Sequence, residues 1–445
     1  MGLADFVKNK LQLAPNWLTL PLLLLNQAGD RVYGNRCRRF KHDIPTLDPA
    51  RQLIDIANYA INHVPYYKKR YGNITIKTVD DFKSTFGFLD KTEVIKHFDE
   101  FISDEAATIP HVTLSTSGTS GKPLKILMPA DRYVTEMAFL GRILERSGWD
   151  YGIKIAIRKK QLPKGKDFIV NPVTKEIIFD GYRTEKTYLE KMARVARRYG
   201  ADTLYGFPST ITQLLHLFKD YGTDISFLRR AILTSEAVTP CHYSFIEDQM
   251  GLKIVTFYGH TEKLILMEQL DRSTFAIEPG YGFTEIINEN GHPAAPGEEG
   301  ELVGTTFYNR VMPLLRYRTD DYATLTGVTV TIDTIVKPTV TDISGRREKS
   351  IIYRHDGSYT TANAFEIHDE REMSYEAIQY VQDKRGHLRV LVIKGADYNP
   401  ADEQYMLTHY GHAMLGREYV SIEYVDRLIT QPNGKALTVI NNTIR

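Results

Sequence analysis

The spacing of apolar and polar positions changes character along the chain. In the first part Leu53, Ile54, Ile56, Ala57, Ala60 and Ile61 recur at three- and four-residue intervals, as on one buried helix face. Asp48-Pro49 just before them suits a helix start, with an acceptor side chain followed by a ring that fixes helical φ. Asp80-Asp81-Phe82 and Lys91-Thr92-Glu93-Val94-Ile95 open further short helices. From Val112 onward short apolar runs alternate with helical stretches. Lys154–Ile157 and Arg230–Leu233 read as strands, Lys186–Tyr199 and Ser209–Tyr221 as helices. Strands alternating with helices predict an α/β domain of layered, mostly parallel sheets. Glu299–Thr306 predicts another strand ahead of Met312–Leu315. Tyr322–Thr341, rich in Thr, Val and Ile, predicts hairpins or a small barrel-like β piece. Gly345–Lys349 interrupts the pattern, and the remainder restarts as strand, helix, strand, with Leu388–Ile393 the clearest strand. A boundary near Ser344 divides a large domain, 1–344, from a small α/β domain, 345–445.

A length of 445 residues agrees with more than one core. The 56 basic residues nearly cancel the 55 acidic ones, which argues against a nucleic-acid partner. Cys37 and Cys241 are the two cysteines, too few for a disulfide framework or a cysteine zinc site, and they fit a reducing, cytoplasmic setting. The N-terminus lacks the basic, apolar and small-residue order of a signal peptide. The apolar run Trp17–Leu25 falls short of the ~20 residues that span a bilayer, so it predicts a packed core element. Its alternative is weak peripheral membrane contact, helped by the basic run Arg36–Lys41.

Candidate chemistry begins at Leu114–Pro123. Gly118 and Gly121 let the backbone approach a ligand closely, and successive amides form an anion-binding nest. Ser115, Thr116, Ser117, Thr119 and Ser120 add hydroxyls, and Lys122 adds a compact cation. The composition suits a polyphosphate. The spacing is not that of a Walker A loop, because two residues rather than four separate Gly118 from Gly121, and Pro123 follows the lysine. A surface turn is the plain alternative.

Four more segments qualify. Ser235 and Glu236 follow a predicted strand, where α/β sheets place ligand-facing residues; an N-capped turn is the other reading. In Tyr258-Gly259-His260-Thr261-Glu262 a carboxylate beside a hydroxyl can hold Mg²⁺, Tyr258 can lie against a purine, and Gly259 permits a sharp bend. His260 is more often a hydrogen-bonded structural histidine than one that touches substrate. Asp321, after Arg316-Tyr317-Arg318-Thr319-Asp320, can accept from two ribose hydroxyls, unless the stretch is a solvated turn. Pro432-Asn433-Gly434 is a turn that sets Lys435 at a loop tip, where out of context it is a plain exposed lysine.

In order and spacing these pieces resemble the adenylate-forming superfamily of acyl-CoA synthetases, adenylation domains and luciferases. Ser115–Lys122 is similar to its phosphate loop, Tyr258–Glu262 to its Tyr-Gly-x-Thr-Glu, and Tyr317–Asp321 to its Tyr-x-Thr-Gly-Asp. Gly345-Arg346 resembles its interdomain hinge and Lys435 its C-terminal catalytic lysine. Ala60–Tyr67 and Tyr205–Ser209 resemble the phenylacetate–CoA ligase branch, nearest the CapK-like proteins of capsule and exopolysaccharide gene clusters. Two positions depart: Asp320 stands where Gly is usual, and Glu348 where the hinge commonly has Asp or Lys. The cysteines that many relatives carry before the hinge are missing, so metal binding there is not expected.

The resemblance implies ATP-dependent adenylation of a small carboxylic acid, with release of pyrophosphate. Transfer to CoA, a phosphopantetheine carrier or an amine would follow. Ser115–Lys122 would hold the phosphates, Thr119 and Glu262 Mg²⁺, Thr261 the α-phosphate, and Asp321 the ribose. Ser235, Glu236, Tyr258 and Gly259 would border adenine. Lys435 would act from a mobile lid that turns about Arg346. A kinase-like enzyme or an inactive nucleotide-binding scaffold are the rival classes.

Overall fold

The computed structural model describes residues 14–25, 33–115, 124–158, 162–163, 165–172, 174–238, 242–344, 351–361, 365, 375–394, 398–430 and 439–443. The early part is helical, as its periodicity predicts. Asp48 caps the helix Pro49–His63 by accepting from the Arg51 amide at 3.1 Å, and Leu53, Ile56, Ala57, Ala60 and Ile61 are its buried stripe. Thr78 and Asp81 form a reciprocal capping box for Val79–Thr85. The run after Trp17 lies in the helix Asn16–Leu25, which buries Leu20 and Leu23 beside the sheet and leaves Leu18 exposed. Among the described residues no helix is long and apolar enough to cross a membrane.

β1 (His111–Ser115) and β2 (Lys125–Pro129) form a separate antiparallel hairpin. The main sheet uses β3 (Lys154–Arg158), β4 (Phe168–Asn171), β5 (Glu176–Asp180), β6 (Thr203–Gly206), β7 (Arg230–Leu233) and β8 (Lys253–Gly259). It continues through β9 (Leu266–Gln269), β10 (Phe275–Ile277), β11 (Gly282–Ile287), β12 (Glu299–Thr306), β13 (Tyr317–Ile332) and β14 (Ile335–Ser344). Their order is β11-β12-β13-β14-β10-β9-β8-β7-β6-β3-β5-β4. The sheet is mixed rather than mostly parallel. Only β5, β3, β6, β7 and β8 run parallel, and every other pairing is antiparallel. The parallel strands are covered on both faces, which is why β5 is buried at every position. The helices Lys186–Arg198 and Pro208–Asp220 supply Leu189, Met192, Ile211 and Leu215 to the core on one face.

The barrel-like piece expected over Tyr322–Thr341 takes the form of the β13–β14 hairpin inside this continuous sheet. Asp333 and Thr334, both at positive φ, make its tip.

The last part holds β15 (Ile351–Tyr353), β16 (Tyr359–Thr361), β17 (Tyr375–Gln382), β18 (Leu388–Lys394), the helix Pro400–Ala413, β19 (Val420–Tyr424) and β20 (Val439–Asn441). Its sheet, ordered β19-β18-β17-β20, packs on the helix through Val390, Val392, Met406 and Tyr410.

Candidate active site

The carboxyl ends of parallel strands collect ligands, because the loops leaving them line one crevice. Two predicted segments leave neighbouring strands there. β7 and β8 pair in register with Leu233 opposite Thr256, so Ser235–Glu236 and Tyr258–Glu262 emerge side by side. Ser235 is exposed at φ 68, a left-handed backbone that a non-glycine residue adopts at a cost. β8 runs extended through Gly259, and the chain turns later, at Lys263, where φ is 57. The bend expected at Gly259 is therefore displaced. A Cβ there would meet Leu266 and Ile265 only at 3.8 and 3.9 Å.

Tyr258 donates its hydroxyl to Asp321 Oδ2 at 2.7 Å. The two lie 63 residues apart, on strands with three others between them in the sheet. At the usual strand spacing a flat sheet would hold such positions roughly 19 Å apart. The antiparallel half therefore curls back over the crevice, and that curl brings Asp321 to Tyr258.

The backbone below Asp321 is tightly held. Arg316 is buried and grips Glu285 through two bonds of 2.9 Å, while Nη1 donates to the carbonyls of Lys83 and Phe86. Arg318 donates to Glu301 Oε2 at 2.7 Å. Asp320 has φ 60, and its amide donates to Glu301 Oε1 at 3.0 Å. The departure from Gly thus falls at a left-handed position, which Asp tolerates better than most residues. The Asp321 amide donates to Thr319 Oγ1 at 3.1 Å, and Thr319 donates to the Leu302 carbonyl.

His260 is nearly buried and sits between two partners. Its Nε2 accepts from the Ile265 amide at 3.2 Å, so Nδ1 carries the proton toward Glu262 Oε2 at 2.9 Å. Burial pushes the Glu262 carboxyl up, but the hydrogen bond that His260 donates to it outweighs this, and its pKa lies below the usual carboxylate value. Glu262 is therefore held as an anion with one oxygen engaged.

Ser115 ends β1 opposite Lys125, so the hairpin register ties together the base of the predicted phosphate loop. Thr116, Ser117, Gly118, Thr119, Ser120, Gly121 and Lys122 lie outside the described residues, as do Arg346, Glu348 and Lys435. Thr261 is half-buried in the turn that ends at Lys263.

The structure adds residues that no sequence signal marked. Arg354, buried between β15 and β16, donates to the Ala413 and Tyr359 carbonyls and feels the charge of Glu236. Across the same seam His242 meets the Tyr359 hydroxyl at 3.2 Å, and Tyr182 stacks on His412 at 5.2 Å. The C-terminal part thus rests on the loops that leave β5 and β7. A single Arg in a hairpin and scattered Tyr–His pairs have no spacing that a sequence reading could detect.

No protein-family model matches the chain. It is similar to the phenylacetate–coenzyme A ligase of Escherichia coli K12, 30% identical over 214 residues that cover 46% of this chain and 48% of that one. The aligned part therefore spans about half of that curated relative. It is 21% identical to protein CapK of Staphylococcus aureus over 79% of this chain and 78% of the other. Its fold matches a 2-hydroxyisobutyryl-CoA ligase solved with 2-HIB-AMP and CoA in the thioesterification state. That match has a TM-score of 0.57 and 14% identity, over 91% of this chain and 90% of that one. In sequence the chain is thus similar to phenylacetate–CoA ligases over about half its length and to CapK over most of it, and in fold it is similar to a CoA ligase. At the carboxyl end of β8 Tyr258 touches Asp321, and Glu262 follows three residues after the strand ends.

Proposed function

We propose that the protein uses ATP to convert a carboxylic acid into an acyl-adenylate, releasing pyrophosphate, and then passes the acyl group to a thiol or an amine. The observation that carries this reading is the Tyr258–Asp321 contact beside a Glu262 kept ionised by His260. It brings a carboxylate acceptor, an aromatic face and a second, ionised carboxylate to one crevice. In this reading Asp321 accepts from the ribose hydroxyls, and Tyr258 lies against adenine while orienting Asp321. Ser235, Glu236 and Gly259 border the base. Thr261 holds the α-phosphate oxygen, and Ser115 with the loop 116–122 holds the departing pyrophosphate. Lys435 bridges phosphate and acid oxygens from the C-terminal part, which turns about Arg346 between the two steps.

Among the described residues no group of three His, Cys, Asp or Glu could hold a metal ion. Glu262, its carboxylate held ionised by His260, fits a Mg²⁺ that arrives already bound to ATP, since that ion keeps phosphate and water oxygens in its shell, and Thr119 is the second residue that would hold it. Bound there, it would neutralise charge that develops on the phosphates. The protein's own part is positioning: two partners attack in line when held close and oriented. A CoA or phosphopantetheine thiol is the favoured acceptor, because the 2-hydroxyisobutyryl-CoA ligase of similar fold was solved with CoA.

The deciding experiment is ATP–pyrophosphate exchange across a panel of carboxylic acids. Exchange that depends on the acid is expected. Release of ADP instead would make the protein kinase-like, and ATP binding without exchange for any acid would make it a scaffold.

A further inference from the structure

A cavity of about 420 Å³ opens between the helices Gly34–Asp43, Pro49–His63 and Arg132–Arg146 and the turn after β12. None of the residues assigned above to ATP or to the reaction lines it. Its volume is in the range of pockets that take small organic ligands. Phe40, Ile56 and Phe307 supply apolar wall, and Arg36, Arg132 and Arg310 supply guanidinium groups.

The charges around it do not balance. Asp131 is engaged by Arg36 at 2.5 Å, and Asp55 lies 4.0 Å from Arg51. Arg310, exposed at the rim, has no ion-pair partner among the described residues and rests 4.8 Å from the Tyr59 ring centroid. Arg132 is 4% exposed, and its Nε and Nη1 have no hydrogen-bond acceptor among the described residues. Its nearest carboxylate, Glu136, stands 4.0 Å away and is already taken by Lys263 at 2.7 Å and the Tyr281 hydroxyl at 2.5 Å. Two cations therefore share one carboxylate. The Tyr281 and Tyr308 rings, 4.6 and 5.3 Å from the guanidinium, offset this only in part. A buried charge short of partners is costly, and although Nε and Nη1 are themselves covered, an anion in the adjoining cavity would offset it through charge. Arg132 Nη2 also donates to the carbonyl of Lys263, the neighbour of Glu262, so the cavity backs onto the turn that carries Glu262.

We propose that this cavity binds a small anion with an apolar body. A carboxylate or phosphate head lies toward Arg310 and Arg132, and the body lies against Phe40 and Phe307. Guanidinium groups suit both heads, because their planar donors match paired oxygens.

The test uses the whole protein without ATP, so its outcome is separate from that of the adenylation reading. Calorimetric titration with phenylpropionate and with phenyl phosphate distinguishes the two heads, and phenylpropanol is the neutral control. At least one anion is expected to bind, and the alcohol at least tenfold more weakly. Arg310→Ala should weaken the anion by roughly tenfold, the size of one charge-assisted contact, and Arg310→Lys should restore part of it. Thr135→Trp, which fills the cavity from its wall, should abolish binding, while Asp321→Asn should leave it unchanged. Arg310 is a surface residue, so its variants keep the fold. No binding by either anion, equal binding of the alcohol, or affinities indifferent to Arg310→Ala and Thr135→Trp would each overturn the proposal.

Discussion

Tyr258, His260 and Glu262 alternate along five residues, and each has a separate task set by its partner. Tyr258 spends its hydroxyl on Asp321 rather than on water. Tyr258→Phe should therefore raise the KM for ATP by roughly two- to tenfold, the worth of one hydrogen bond, with kcat changed less. Steady-state exchange kinetics decide it. Glu262→Gln keeps the shape and removes the charge; exchange should fall by roughly a hundredfold or more. The depressed pKa of Glu262 also has a sign in stability. The folded protein favours the carboxylate more than the unfolded chain does. Its contribution is thus present above the ordinary value of 4.5 and lost as pH falls through the lower folded value. Urea midpoints measured from neutral pH down through that window should drop less steeply in Glu262→Gln than in the parent. The motif and its residue types were legible in the sequence. The tautomer of His260 was not, because it depends on the Ile265 amide, which the turn at Lys263 delivers.

At the scale of elements, β13 shows how a local departure is absorbed. Asp320 occupies a left-handed position beside a register shift between β12 and β13, and its amide is held by Glu301. A β-branched residue there would clash with its own backbone, so Asp320→Val should cost at least 1–2 kcal/mol, about the left-handed penalty, while Asp320→Gly should be far milder. Chemical denaturation of both variants tests this. Below it, Arg316→Ala would leave Glu285 buried without its partner, and a loss of about 3–5 kcal/mol is expected in the same assay. In the sequence Arg316 stands beside Arg318 and Asp321 in one short segment. The fold separates their work: Arg316 anchors the strand from the core side, and Asp321 meets the crevice. Helices and strands with clean periodicity, such as Pro49–His63 and Lys186–Arg198, were legible because one buried face dictates their spacing. The balance of parallel to antiparallel strands was not. Pairing direction depends on where the connection returns, and a run of Val, Ile and Thr is compatible with both.

At the scale of the molecule, the C-terminal part touches the crevice loops through Tyr359 and His412. The proposed alternation of two half-reactions makes a prediction here. Lys435→Ala should suppress adenylate formation yet leave transfer from preformed acyl-adenylate largely intact; equal loss of both steps would count against a lid that changes place. Stopped-flow assay of each half-reaction separates the outcomes. The chain's order of motifs by itself determined the family resemblance, the helical beginning, and the types of group available to a nucleotide. Those follow from local periodicity and from chemistry that travels with the residue. Tertiary structure alone decided which groups meet. The curl of the antiparallel half sets Tyr258 on Asp321, the seam sets Arg354 near Glu236, and the packing of three helices leaves Arg132 short of acceptors. Each is a contact between segments far apart in sequence, created by the folding of a sheet whose pairing no local pattern specifies.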